Sequence, residues 1–133
     1  LSPAGRAWRV AVEAPVAGER RPHALLEIDG FAVSTSGDYR DFRETAGRRV
    51  SHTIDPRTAA PVTHRLTSVT VVHASTAMAD AFSTALMVLG PDEGMDAARR
   101  LGLAALFIAR PQGAGPFIES QTPEFARFRR PLP

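Results

Sequence analysis

The sequence predicts an α+β fold, a largely antiparallel sheet with two helices packed on one face. Three observations predict it. Strand-like stretches fill the first half of the chain. Two helical stretches then follow back to back, at 75–90 and 91–101. A last apolar strand at 103–109 closes the order. Strands, then helices, then a strand suits helices gathered on one side of a sheet; a doubly wound fold would need alternation along the whole length. The 133 residues suit one domain, 1–133, with a real core.

Each element has its own signal. Trp8, Val10 and Val12 alternate, which predicts a strand with one buried side. Residues 14–22 read as a turn, with Pro15, Gly18 and Pro22. A second strand at 23–28 leads into Asp29-Gly30, a strong two-residue hairpin signal, with 31–35 as the returning strand. Residues 40–47 are charged and predict a short turn leading into a hairpin, and 48–54 predicts another strand. Asp55-Pro56-Arg57-Thr58 and Pro61 predict irregular backbone. Residues 66–74 are the most strand-like run, with Val69, Val71 and Val72.

In the first helix, Met78, Phe82, Ala85, Leu86 and Leu89 recur at three- and four-residue spacing and predict the buried stripe. Ser75 or Thr76 can cap its start, and Gly90-Pro91 ends it. The second helix opens with proline and acids and closes on Arg99, Arg100 and Gly102. Residues 110–133 are rich in Pro and Gly. They predict an irregular C-terminal segment over the surface, pinned by Phe117, Ile118, Phe125 and Phe128.

Composition narrows the function classes. Net charge is +2, so no strong nucleic-acid or membrane field is expected. The basic residues are all arginine, in scattered pairs without interleaved aromatics, which predicts solvated surface and no nucleic-acid partner. There is no cysteine, hence no disulfide and no thiolate metal site. No apolar run is long enough to span a bilayer, and no leader peptide is read at the start.

Three stretches could carry chemistry. Thr35-Ser36-Gly37-Asp38-Tyr39 is a turn by composition, or a strand end that delivers a hydroxyl and amides to a ligand. His52 sits where a strand leaves regular structure, and a histidine there can take a proton near neutral pH. His23, His64 and His73 have no partners at metal-ligand spacing and receive no role. On the long helix, Asp80, Ser83 and Thr84 fall opposite the apolar stripe. Asp80 and Thr84 are i and i+4, so their oxygens can converge, and two hard oxygens suit Mg2+. The same residues have a plainer reading: the helix dipole favours an early acid, and a threonine on a polar face meets solvent.

In combination these stretches resemble a known family. Ser-Gly-Asp-Tyr, then His-x-Ile-Asp-Pro-Arg-Thr, a valine-rich strand, and Ala-Asp-Ala-x-Ser-Thr-Ala ending in Leu-Gly follow the order and spacing of the ApbE family, the FAD:protein FMN transferases. The likeness runs from about Trp8 to Ala109. It implies a T-fold-like half-domain and a Mg2+-dependent bacterial flavin transferase with FAD as substrate. Such an enzyme moves FMN to a Thr or Ser hydroxyl of a target protein and releases AMP. Some members hydrolyse FAD instead, and a non-catalytic flavin-binding or interaction module is the other alternative. The resemblance implies metal ligation by Asp80 and Thr84 with Ser83 beside them, His52 as base, and contact of the backbone near Ile54 with the flavin; it assigns Ser36 no role.

Two departures stand out. The family's usual glycine after Asp-Pro-Arg-Thr is replaced by Ala59, followed by Ala60. Only one histidine precedes Ile-Asp-Pro, with Thr53 after it. The chain is also about half the usual family length and lacks the Gly-x-x-Lys-Gly segment. The resemblance therefore implies a C-terminal portion whose N-terminal half is missing and which is inactive alone. It implies the bacterial cell envelope or periplasmic side, with the cytoplasm left open.

Overall fold

The computed structural model describes residues 2–16, 18–39, 42–45 and 48–133; for 42–45 and 48–50 it describes the backbone alone. Residues 40, 41, 46 and 47, part of the expected charged turn, lie outside the described residues.

Two antiparallel sheets and a helical layer stack on one another. The first sheet joins β1 (Trp8–Glu13), β2 (Pro22–Ile28) and β11 (Arg129–Arg130) in the order β1-β2-β11. The second joins β3 (Ala32–Gly37), β8 (Leu66–His73), β9 (Ala104–Ala109) and β10 (Ile118–Gln121) in the order β10-β9-β8-β3. Two hairpins stand beside them: β4 (Phe42–Thr45) with β5 (Arg48–Ser51), and β6 (Ile54–Asp55) with β7 (Ala60–Pro61). The helices are α1 (Thr76–Leu89), α2 (Pro91–Arg100) and the short α3 (Pro123–Ala126).

The two central strands of the second sheet, β8 and β9, are buried on both faces. Val72, Ala104, Leu106 and Ile108 point to the first sheet and meet Val12, Leu26, Ile28, Phe125 and Phe128. Val69, Val71, Ala105 and Phe107 point the other way and meet Leu86, Met87, Met95 and Ala98 of the helices. Alternate side chains of a strand serve opposite faces, so a strand buried on both reads as one continuous apolar run. That explains the run at β9; β8 is buried as well, but Thr67, Ser68 and Thr70 interrupt its apolar residues.

Helix α1 begins where expected, with the Ser75 hydroxyl accepting from the Met78 amide at 3.4 Å. It ends at Gly90, whose φ of 84° belongs to the left-handed region. The His64 ring leaves no room there for a Cβ, so glycine is required twice over. The buried face differs from the expected stripe. Ala79, Ser83, Leu86 and Met87 are buried, Phe82 and Leu89 only partly so, and Met78 and Ala85 are exposed. The helix lies close enough to β3 and β8 that small residues fill the seam, while the larger Met78 stays outside.

Three further expectations are corrected. Asp29-Gly30 does not close a hairpin: β2 pairs with β1 and β11, β3 pairs with β8, and the turn carries the chain between layers. Alternation identifies a strand's buried face but not its partner. Trp8 is 53% exposed at the edge of the first sheet, although Val12 of the same strand is buried. Residues 110–133 are not irregular throughout, since β10, α3 and β11 lie there. The signals were too short to read, and the order comes from long-range contacts. Thr122 is fully buried; its hydroxyl donates to the Leu103 carbonyl at 2.6 Å and accepts from the Ala105 amide at 2.9 Å. Phe125 fills the space between the sheets, while Ile118 is exposed.

The histidines given no role have structural partners. His23 Nε2 lies 2.6 Å from Glu119, which Arg129 also holds, so β2, β10 and β11 are tied together. Burial pushes the Glu119 carboxyl up, but the hydrogen bonds from Arg129 and His23 outweigh it and hold the group below its ordinary range. His64 and His73 accept from the Leu66 and Ser75 amides.

The C-terminal segment is thus core, not covering. Phe125→Ala should destabilise the fold by about 3–5 kcal/mol, read as a lower urea midpoint. A change within error would place the segment outside the cooperative unit.

Candidate active site

Strand β3 is the open edge of the second sheet, and α1 packs across it. Along β3, Val33 packs into the core between the sheets and Thr35 meets the Thr70 hydroxyl at 2.8 Å. Ser34 and Ser36 take the opposite face, toward α1. There they meet the three helix residues singled out by sequence. The Ser34 hydroxyl donates to Asp80 Oδ1 at 3.0 Å. Ser36 Oγ lies 2.9 Å from Ser83 Oγ and 3.1 Å from Thr84 Oγ1. Ser83 Oγ donates to the Asp80 backbone carbonyl at 3.0 Å.

Asp80 and Thr84 are exposed, one turn apart and open to solvent. Ser83 is not: it is fully buried, so its expected place opposite the apolar side is corrected. A small hydroxyl can enter the seam because each of its polar contacts is made there. Sequence reading missed Ser34 altogether, and its signal was a second serine two residues from Ser36 on one strand.

The Ser-Gly-Asp-Tyr stretch is largely structural beyond Ser36. The Asp38 amide donates to the Thr67 carbonyl at 3.0 Å, and the buried Asp38 carboxylate pairs with Arg110 at 3.3 Å. Tyr39 donates to Glu13 at 2.9 Å. These contacts anchor the end of β3 to β8 and β1.

The second group is the hairpin β6–β7, which lies against α1. His52 is exposed on the bend before β6, and Ser51 Oγ accepts the Thr53 amide at 3.2 Å to shape that bend. Ile54 is 51% exposed, unusual for a large aliphatic side chain. Asp55 is the keystone of the loop. Its carboxylate takes the Arg57 amide at 2.8 Å and the Arg57 guanidinium at 2.8 and 3.1 Å. Arg57 also reaches Glu93 on α2 at 3.1 Å, which docks the hairpin on the helical layer. Ala59 has φ 54°, the only left-handed non-glycine among the described residues. The loop keeps the conformation a glycine would favour and accepts the strain of a Cβ.

The metal question turns on donor chemistry. Among the described residues no three His, Cys, Asp or Glu side chains gather. Asp80 and Thr84 offer one carboxylate and one hydroxyl on an open surface. That fits Mg2+, which commonly takes one or two carboxylates and completes its shell with water and substrate phosphate.

Known proteins share this arrangement of elements. The ApbE family matches residues 1–107. This chain belongs to the ApbE family. The FAD:protein FMN transferase of Klebsiella pneumoniae (strain 342) is 43% identical over 124 residues, 93% of this chain and 35% of the relative. That of Escherichia coli (strain K12) is 42% identical over the same shares. Among solved structures, the flavinyl transferase ApbE of Pseudomonas stutzeri, apo form, gives a TM-score of 0.78 at 47% identity, covering 95% of this chain and 38% of that one. The flavin transferase ApbE of Vibrio cholerae gives 0.80 at 37%, covering 96% and 40%. The chain thus spans about a third of the length of these curated relatives, less than the half expected from the sequence.

Two expectations follow for the hairpin. Ala59→Gly should relieve the left-handed strain and stabilise the fold by about 1 kcal/mol, read as a raised urea midpoint; a lowered midpoint would contradict the strain. The Arg57 hydrogen bond, helped by the Arg57 amide and opposed by burial, holds the Asp55 carboxyl below its ordinary range. A lowered folded pKa stabilises at neutral pH, and the contribution disappears as pH falls through it. The Arg57 Nε–H resonance should therefore keep its bonded position at neutral pH and lose it in acid, below about pH 4; loosening on raising the pH would reverse the sign.

Proposed function

We propose that this chain is the C-terminal portion of a Mg2+-dependent FAD:protein FMN transferase, transferring FMN to a Thr or Ser hydroxyl of a target protein. One observation carries the proposal: Asp80 and Thr84 lie one turn apart on the exposed side of α1, each hydrogen-bonded to a serine of β3. The strand that begins at Ile54, two residues after His52, lies against the same helix, and relatives at 43% identity are named FAD:protein FMN transferases.

In this reading Asp80 and Thr84 hold the cation, and buried Ser83 positions them from behind. Bound there, Mg2+ would offset negative charge on the pyrophosphate of FAD. Exposed Ile54 offers the flavin an apolar contact. His52 takes the proton of the acceptor hydroxyl. That oxygen forms a bond to the FMN phosphorus, and the bond from that phosphorus to the bridging oxygen breaks. AMP leaves with the electron pair of that bond. The rest of the intact polypeptide supplies the remaining enclosure of FAD, so the 133-residue chain is inactive by itself. We place the intact protein in the bacterial cell envelope, on the periplasmic side.

The test is an assay of AMP release and of covalent FMN on a target protein, using the intact polypeptide that contains this chain. Both products should appear together, and Asp80→Ala should lower the rate by about 100-fold or more, as expected when a group that stabilises charge at a phosphate is lost. AMP with free FMN alone would indicate a hydrolase. Neither product, or full activity of Asp80→Ala, would refute the proposal. The isolated chain should bind FAD more weakly than micromolar in isothermal titration.

A further inference from the structure

We infer that Ser36 sets the proton direction of the Thr84 hydroxyl, turning its lone pairs outward to a cation, and that Ser34 orients the Asp80 carboxylate from the same strand. The inference rests on the proposed cation site and adds to it residues that no motif assigned a role.

The available hydrogens set the direction. Each serine or threonine hydroxyl has one hydrogen to donate and two lone pairs to accept with. A backbone carbonyl only accepts. Ser83 gives its hydrogen to the Asp80 carbonyl, 3.0 Å away, the one group in its reach that can only accept. Its lone pairs then face Ser36 at 2.9 Å, so Ser36 is the donor of that contact. Ser36 has no second hydrogen, so the 3.1 Å contact with Thr84 is made by the Thr84 hydrogen. The chain runs one way: Thr84 to Ser36, Ser36 to Ser83, Ser83 to the Asp80 carbonyl. The Thr84 hydrogen points inward to β3. Its lone pairs are left for the exposed side, where a cation needs an acceptor and would be repelled by an O–H.

Ser34 acts on the other ligand. Its hydrogen goes to Asp80 Oδ1 at 3.0 Å, since a carboxylate accepts only. That bond restrains the side-chain rotation of an exposed aspartate. Ser83 could instead donate to Ser34, but at 3.5 Å that contact is longer than its bond to the Asp80 carbonyl at 3.0 Å, which takes the hydrogen. Both strand residues touch ligands and not the cation, so they are positioning residues.

The test measures cation affinity, with Mn2+ as the probe and free Mn2+ read by electron paramagnetic resonance, on the intact polypeptide. Ser36→Ala should weaken Mn2+ binding about 10-fold or more, the usual effect of removing a group that orients a metal ligand. Ser36→Thr keeps the hydroxyl and should restore most of the affinity. Ser83→Ala should also weaken binding, because it frees the Ser36 hydrogen to occupy a Thr84 lone pair; it also serves if Ser36→Ala does not fold. Unchanged affinity in folded Ser36→Ala and Ser83→Ala overturns the inference. So does loss in Ser36→Ala that Ser36→Thr fails to restore, since that would be a packing defect. Asp80→Ala separates this from the reading beneath it. If Asp80→Ala abolishes binding while the serine variants do not alter it, only the proton direction falls; if Asp80→Ala binds Mn2+ normally, the cation site itself falls.

Discussion

The seam between β3 and α1 is closed by hydroxyl groups where aliphatic side chains would ordinarily meet. Ser34 and Ser36 on the strand face Asp80, Ser83 and Thr84 on the helix, all within 3.1 Å of a partner. Such a seam brings the two backbones close, since serine is small. It is also directional, since each hydrogen can be given once. A greasy seam would hold the helix as well but would say nothing about where an oxygen lone pair points. The open edge of the sheet thus becomes the wall of a polar surface.

That seam depends on the layer behind it. The second sheet is covered on one face by the first sheet and on the other by α1 and α2. With both faces dry, β8 has little freedom to slide, and the register of β3 against it is regular from Ala32 to Gly37. The ends of β3 are secured separately: Asp38 meets Arg110 and the Thr67 carbonyl, and Tyr39 reaches Glu13. A rigid strand lets a hydrogen bond of 3.0 Å orient an exposed carboxylate, whereas a mobile one would average it away.

The hairpin is built on a different principle. Its two-residue strands contribute little pairing, and Asp55, Arg57 and Glu93 hold it by charge. Ala59 keeps a left-handed backbone, a conformation that favours glycine. Tolerating that strain is physically reasonable only because Asp55 over-determines the turn from several directions. Exposed His52 and Ile54 ride on this charged clamp, next to α1.

The sequence by itself determined the long amphipathic helix and its cap at Ser75, the α2 boundaries, the two core strands, and the family. These are local patterns or ordered motifs, and each is carried by neighbouring residues. The i and i+4 relation of Asp80 and Thr84 was legible for the same reason. Tertiary structure decided which face of α1 is buried, because Ala79 and Ser83 are chosen by the closeness of β3 and not by hydropathy. It decided that Asp29-Gly30 links two layers, since strand partners compete across the whole chain. It ordered the C-terminal segment through Thr122 and Phe125; the Thr122 partners, Ala105 and Leu103, lie 17 and 19 residues away in sequence. It also brought Ser34 to Asp80 across forty-six residues, a distance in the chain over which no spacing rule operates.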